Sequence, residues 1–215
     1  MKSLILKDLY NIGHNAQSMF LILLVFAVLL IPSSNPVNYI IISGIMCSMM
    51  IVTTFVFDDN SKWTRYAMIM PVSKKDLVKS KFAVLFAFCA AGTLIGLILE
   101  MIGGLLLHRI TVSAESLSTL LLGALIGLSI AEIYGSMSIP LAFKFGSERG
   151  RMLLLISFLI PTAIYFGVYK LIILAGVTLT DRLVFILLCC LPFMALLWNY
   201  VMYRISYAIF SQQEL

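Results

Sequence analysis

The chain has 215 residues, of which 61% are hydrophobic and only 12% are charged, whereas about 25% of a typical soluble domain is charged. Apolar runs of about 20 residues recur along it, and each is long enough to cross a hydrocarbon core roughly 30 Å thick. The net charge of +5 needs no nucleic-acid partner, because Lys and Arg accumulate in the loops on the cytoplasmic side of membrane proteins. The sequence therefore predicts an all-α integral membrane protein with a single domain, residues 1–215.

The N-terminal residues 1–15 place Leu4, Ile5, Leu9 and Ile12 on one helical face, with polar residues opposite. This amphipathic pattern predicts a short helix that lies in the membrane interface. The alternative is a frayed cytoplasmic tail.

Six apolar segments follow, and each is interpreted as a transmembrane helix. Both termini are expected in the cytoplasm because 12 of the 15 Lys and Arg residues fall on one side of this topology. Residues 204–215 are expected to form a tail. The predicted spans are residues 18–31, 37–57, 80–107, 117–143, 152–175 and 183–203.

The longest polar interval, residues 57–81, separates the second and third spans. Within it, a short helix is predicted to begin after Asn60 or Ser61 as its cap and to end before Pro71. Ser73 then caps the next helix, with Asp76 three residues later. The chain is thus expected to leave the membrane, form a short amphipathic helix along the cytoplasmic face and return.

No motif for catalysis or metal binding is evident. The chain has no GxxxxGK[ST] phosphate loop and no HExxH, and His14 and His108 are expected at opposite membrane faces. The sequence therefore predicts a non-catalytic chain without a cofactor of its own. The cysteines are interpreted as small buried hydrophobic residues, namely Cys47, Cys89, Cys189 and Cys190.

Two carboxylates, Glu100 and Glu132, fall within predicted spans, where charge is costly and often functional. They are candidates for an intramembrane polar path or an ion relay. Structural alternatives remain open: Glu100 can pair with Lys170 or Arg109, and Glu132 can be satisfied by side chains that follow it, namely Tyr134, Ser136 and Ser138.

Two GxxxG patterns occur in the spans, at Gly92 and Gly96 and at Gly123 and Gly127. Small residues at this spacing allow helices to approach closely. The pattern predicts tight helix packing and gives little support to dimerisation.

Two motifs resemble the ABC-2 type transporter permeases, in particular small bacterial members of antimicrobial-peptide and toxin exporters. The first, FDDNSKWTRYAMIMPVSKKDLVKSKF at residues 57–82, has an acidic residue, a Trp-containing helix, a Met-Pro-Val-Ser turn, a basic pair and a Lys that enters the third span. The second is PLAFKFGSERGRMLLL at residues 140–155.

The resemblance implies that residues 57–81 contain a coupling helix, which sits in a groove of a separate cytoplasmic ATPase subunit that binds ATP and Mg. It also implies a second permease, identical or related. Trp63 and Tyr66 offer aromatic anchors, and Lys62 and Arg65 can pair with acidic partner residues. Contact of the basic residues with anionic membrane lipid is the alternative. The docking residues implied are Asp58, Asp59, Lys62, Trp63, Arg65, Tyr66, Pro71, Lys74 and Lys75.

The function expected from this resemblance is export of a hydrophobic or amphipathic substrate, such as a peptide, an antibiotic or a lipid-like molecule. The substrate would leave the cytoplasm or the inner leaflet of a bacterial cytoplasmic membrane. Two alternatives remain open: an ion-coupled transporter that needs no ATPase, and a membrane immunity or scaffold protein that transports nothing.

Overall fold

The fold is all-helical over the residues that the computed structural model describes, which are 2–33, 35–69, 73–108, 113–146, 150–174 and 181–212. The described part forms one bundle with its main core between α1, α3, α5 and α6. The helices are α1 (Lys2–Leu30), α2 (Pro36–Ser48), α3 (Met50–Asn60), α4 (Trp63–Ile69), α5 (Lys74–Leu106), α6 (Ala114–Phe145), α7 (Gly150–Leu174) and α8 (Asp181–Gln212).

Five segments are long and apolar enough to cross a membrane, and α1 adds a sixth if its two parts are counted as one span. The two parts of α1, Lys2–Gly13 and Ala16–Leu30, meet at an angle of 63°. Such a bend is needed if the first part of α1 lies in the membrane interface and the second part spans the membrane, as predicted. The interfacial position of the first part stays a prediction. The five segments are Pro36–Asn60, Lys74–Leu106, Ala114–Phe145, Leu154–Leu171 and Phe185–Gln212.

The predicted second span corresponds to Pro36–Asn60, in which Met49 separates two helices, α2 and α3. The first of these, α2, packs between α5 and α6. Glycines allow this contact: a Cβ on Gly92 would lie 2.5 Å from Cys47 Cβ, and one on Gly96 would lie 1.9 Å from Ser43 Oγ. The tight packing predicted from the GxxxG pattern is therefore confirmed within one chain.

The last two helices, α7 and α8, leave most of their apolar side chains uncovered on the single chain. Cys47 and Cys89 are buried, but Cys189 and Cys190 are exposed on α8. The prediction of four buried cysteines is thus wrong for the latter pair, because no described helix covers this part of α8. Such a surface is suited to lipid or to another protein chain in the membrane.

The prediction for the C-terminal segment is also wrong. A tail was predicted from residue 204, but α8 continues to Gln212. Met202, Ser206 and Phe210 recur at every fourth position and are all buried, so one face of this extension packs as a helix requires.

Both ends of the chain reach the same end of the bundle. Leu4 of α1, Ala67 of α4, Leu77 of α5 and Phe210 of α8 form one buried cluster there, against which Phe143 of α6 packs. We call this end, defined by this cluster together with Lys7, Asp58 and Lys81, the charged end.

Candidate functional site

The short helix α4 lies at the charged end, where it follows α3 and precedes α5 in the chain. The prediction that Asn60 or Ser61 caps its start is wrong, because α3 runs on to Asn60 and the Ser61 hydroxyl donates back to the Phe57 carbonyl at 2.7 Å. The turn between α3 and α4 contains Lys62, whose φ of 52° lies in the left-handed region. Ser73 caps α5 as predicted, since its hydroxyl accepts a hydrogen bond from the Asp76 amide at 3.1 Å.

Two faces of α4 can be distinguished. Ala67 is buried and Trp63 packs beside it on the cluster of the charged end. Tyr66 and Ile69, three residues apart and therefore on one helical face, are 58% and 84% exposed. Nothing in the described part of the chain covers this outer face, which thus offers an aromatic and an aliphatic side chain to a partner.

Next to α4 lies a ring of four charges from three helices, which we call the ion cluster: Lys7 and Asp8 of α1, Asp58 of α3 and Lys81 of α5. Lys7 is partly buried and the other three are buried. Each carboxylate places one oxygen on each lysine. Lys81 Nζ lies 2.9 Å from Asp8 Oδ2 and 2.6 Å from Asp58 Oδ2, and Lys7 Nζ lies 3.1 Å from Asp8 Oδ1 and contacts Asp58 Oδ1. The two positive and two negative charges cancel, which matters because an unpaired buried charge is strongly destabilising.

Further contacts join the ion cluster to its surroundings. Lys81 Nζ donates to Thr54 Oγ1 at 3.1 Å and lies 4.8 Å from the centre of the Phe55 ring. Lys7 Nζ lies 4.4 Å from the centre of the Trp63 ring, a cation–π distance. Because Trp63 belongs to α4, the ion cluster connects this helix directly to α1.

Two lysines at the start of α5 contact the end of α8. Lys74 Nζ donates to the Ser211 carbonyl at 3.2 Å and lies 5.8 Å from the Phe210 ring. Lys75 Nζ lies 5.8 Å from the Tyr207 ring. A cation beside the last carbonyls of a helix is favourable because it opposes the negative end of the helix dipole.

The residues predicted to dock a partner therefore fall into different environments. Asp59, Lys62, Tyr66 and Lys75 are exposed. Asp58 is buried within the ion cluster, Trp63 faces inward, and Lys74 is partly buried against α8. Pro71 and the side chain of Arg65 lie outside the described residues.

Sequence reasoning missed five residues of this site. It did not assign Lys7, Asp8 and Lys81, which complete the ion cluster with Asp58. It also did not assign Ile69, which continues the outer face of α4, or Phe210. The sequence contained a signal for two of these residues. Ile69 follows Tyr66 by three residues, and Phe210 lies eight residues after Met202, so each pair falls on one helical face. The pairing of α1 with Asp58 leaves no local pattern, because these residues are far apart in sequence.

The two intramembrane carboxylates are both buried. Glu132 Oε2 accepts a hydrogen bond from Asn199 of α8 at 2.6 Å. The side chains proposed to satisfy it have other partners: Tyr134 pairs with Thr162 of α7, and Ser136 and Ser138 donate to carbonyls of α6.

Glu100 lies in α5, close enough to Tyr39 for an electrostatic interaction. Lys170, one of its two suggested partners, is exposed on α7. The other, Arg109, lies outside the described residues, so pairing of Glu100 with Arg109 stays a prediction. Within the described residues, no group of three or more His, Cys, Asp and Glu side chains is arranged to hold a metal ion.

These features define a helical membrane protein with several spans and an exposed short helix at its charged end. A family model described as "ABC-2 family transporter protein" matches residues 3–211. The chain therefore belongs to the ABC-2 family of membrane transport proteins, which confirms the resemblance seen in the two motifs. Comparisons with curated proteins and with solved structures gave no match.

Proposed function

We propose that this chain is the permease subunit of an ABC exporter, in which a separate cytoplasmic ATPase subunit docks on α4. The observation that carries the proposal is the outer face of α4, where Tyr66 and Ile69 stand exposed on a helix whose inner face is held by the bundle. Aromatic and aliphatic anchors surrounded by polar groups are typical of binding hot spots. The family membership supports the same assignment.

The packing at the charged end supplies a route for mechanical coupling. Nucleotide-driven movement of the ATPase would push α4, and α4 rests on side chains of α1, α5, α6 and α8 through one cluster. Closely packed helices move as rigid bodies rather than deform continuously. Motion of a short surface helix would thus shift several spans together.

The docking residues divide into two roles in this proposal. The exposed residues Asp59, Lys62, Tyr66, Ile69 and Lys75 contact the ATPase directly, with Arg65 as a further predicted contact. Asp58, Trp63 and Lys74 position α4 from within the permease, since each is at least partly buried against other parts of the chain. Pro71 stays a prediction from the sequence, as the residue that bars continuation of this helix.

The complete transporter would contain two permease chains, identical or related, and two ATPase subunits that hold ATP and Mg. The charged end faces the cytoplasm in this arrangement, with both termini there, in a bacterial cytoplasmic membrane. The uncovered apolar faces of α7 and α8 are available to the second permease and to lipid. The substrate is hydrophobic or amphipathic and leaves the cytoplasm or the inner leaflet.

Co-purification with the candidate ATPase tests the proposal. Tyr66→Ala with Ile69→Ala should abolish the complex and the ATP hydrolysis that the permease stimulates. The matched control is Tyr10→Ala with Leu6→Ala, which removes an aromatic and an aliphatic side chain, 83% and 61% exposed, from α1 near the same end. The control pair should leave the complex intact.

Two results would overturn parts of the proposal. If wild-type protein binds no ATPase, the ion-coupled transporter and the scaffold protein become the better explanations. If both double variants bind as wild type does, the complex stands but α4 is not its docking element.

A further inference from the structure

The contact between α6 and α8 contains a carboxylate within the apolar part of the bundle. Both helices end at the charged end, Phe145 for α6 and Gln212 for α8, and Glu132 and Asn199 lie at matching depth, roughly 20 Å from those ends at 1.5 Å per residue. Glu132 is only 5% exposed. This depth is within the hydrocarbon region for a span that begins at the charged end.

Among the described residues, no lysine or arginine side chain pairs with Glu132, and the hydrogen-bond partner of Glu132 is the neutral amide of Asn199. Carboxylates at such depth are costly unless a cation or donors accompany them. One neutral donor at 2.6 Å relieves only part of that cost.

Asn199 adds a second acceptor. Its amide nitrogen faces Glu132, as an ionised carboxylate requires, since its oxygens can only accept hydrogen bonds. The amide oxygen, Asn199 Oδ1, is buried and accepts no hydrogen bond from any described residue. Buried polar atoms without a partner are rare and call for an explanation.

We propose that Glu132 and Asn199 form a binding site for the protonated amine of an amphipathic cation, the substrate class of the exporter proposed above, on which this inference rests. A primary ammonium carries one positive charge and three N–H donors. The charge would balance Glu132, and two of the three donors would bind the Glu132 carboxylate and Asn199 Oδ1. A neutral or anionic headgroup lacks this complementarity.

The surroundings suit an alkyl chain attached to that amine. Asn199 is only partly buried, so the pair is reachable from the outer surface of α8. Next to it, Leu196, Leu197 and Tyr200 are exposed on the single chain. An amine could therefore enter sideways from the bilayer or from a path between two permeases while its apolar tail stays on this surface.

The chain carries its own reporter for the test. It has two tryptophans, and Trp198 is adjacent to Asn199, so a Trp63→Phe protein reports fluorescence from Trp198 alone. This full-length protein is placed in nanodiscs of neutral phosphatidylcholine without ATPase. Dodecylamine is the probe, and dodecan-1-ol and dodecyltrimethylammonium are compared with it because they lack the charge and the N–H donors, respectively.

Dodecylamine should change the Trp198 emission saturably, and its affinity should fall by about tenfold or more in Glu132→Gln, as expected for loss of a charged hydrogen bond. Dodecan-1-ol should bind at least tenfold more weakly than dodecylamine, and dodecyltrimethylammonium should lie between them. Glu100→Gln is the matched control, since it neutralises another buried carboxylate, in α5, and should leave the affinity unchanged. Equilibrium dialysis of radiolabelled dodecylamine gives a second measurement. The amine bound by wild type minus the amine bound by Glu132→Gln gives the occupancy of the site, even if the Trp198 emission does not change.

The site does not exist if dodecylamine and dodecan-1-ol titrate alike, or if Glu132→Gln binds as much amine as wild type by both methods. Equal loss in Glu100→Gln would also overturn the proposal, because the effect would then follow the net charge of the bundle. No ATPase is present, so these outcomes are independent of docking on α4. Failure of the proposed function would instead appear in the co-purification experiment with wild-type Glu132.

Discussion

Lys81 at the start of α5 and Asp58 at the end of α3 form an ion pair of 2.6 Å across the base of α4. The chain between them contains the whole of α4. The pair therefore closes this loop at its base. Asp8 and Lys7 then attach the closed loop to the N-terminal helix, so that α4 is held from two directions.

Removal of one lysine from the ion cluster should be costly. Lys81→Met would leave two buried carboxylates with one cation, and breaking a buried pair in this way destabilises by about 3–5 kcal/mol. The free energy of unfolding in detergent measures the effect. Lys79→Met is the control because Lys79 is exposed two residues away; equal stability of the two variants would contradict the ion cluster.

The helical extension of α8 should contribute to stability through Phe210. Phe210→Ala removes a buried ring from the cluster of the charged end and should cost about 3 kcal/mol. Ile205→Ala, on the exposed side of the same helix, should change stability little. Equal melting temperatures for the two variants would contradict the packing of Phe210, and residues 204–212 would then behave as the tail that the sequence predicted.

The contact between α2 and α5 depends on the absence of a side chain at Gly92. A Cβ there would lie 2.9 Å from the Ser43 carbonyl oxygen as well as against Cys47, so Gly92→Ala should destabilise by about 1–3 kcal/mol through overpacking. Gly167 in α7 has no atom within 4 Å of such a Cβ. Gly167→Ala should therefore stabilise α7 slightly, since Ala is the better helix former. The melting temperature should fall in Gly92→Ala and rise slightly in Gly167→Ala.

The left-handed conformation of Lys62 leads to a prediction about the turn before α4. Glycine adopts a φ of 52° without the steric cost that a Cβ imposes. Lys62→Gly should therefore be more stable than Lys62→Ala by about 1 kcal/mol, although both lose the same charge. A reversed order in a denaturant titration would show that this turn is not constrained as described.

The spans were predictable because each is a long apolar run, and the Ser73 cap was predictable because it is encoded within four residues. The ion cluster was not, because Asp8 gives no local sign that it will meet Lys81 far along the chain. The direction of Trp63 was missed for a related reason: on a helix as short as α4, several residues are apolar or aromatic, and only the packing of Ala67 decides which face turns inward. The partner of Glu132 likewise comes from α8, beyond any local pattern.

The position of Phe210 has a consequence for biosynthesis. Leu4 and Phe210 belong to the same cluster, so the packing that supports α4 is complete only after α8 has been translated and inserted. A nascent chain in which α4 is already outside the membrane but α8 is still missing would lack that support. If the ATPase docks on α4 as proposed, its stable recruitment would therefore wait for the insertion of α8.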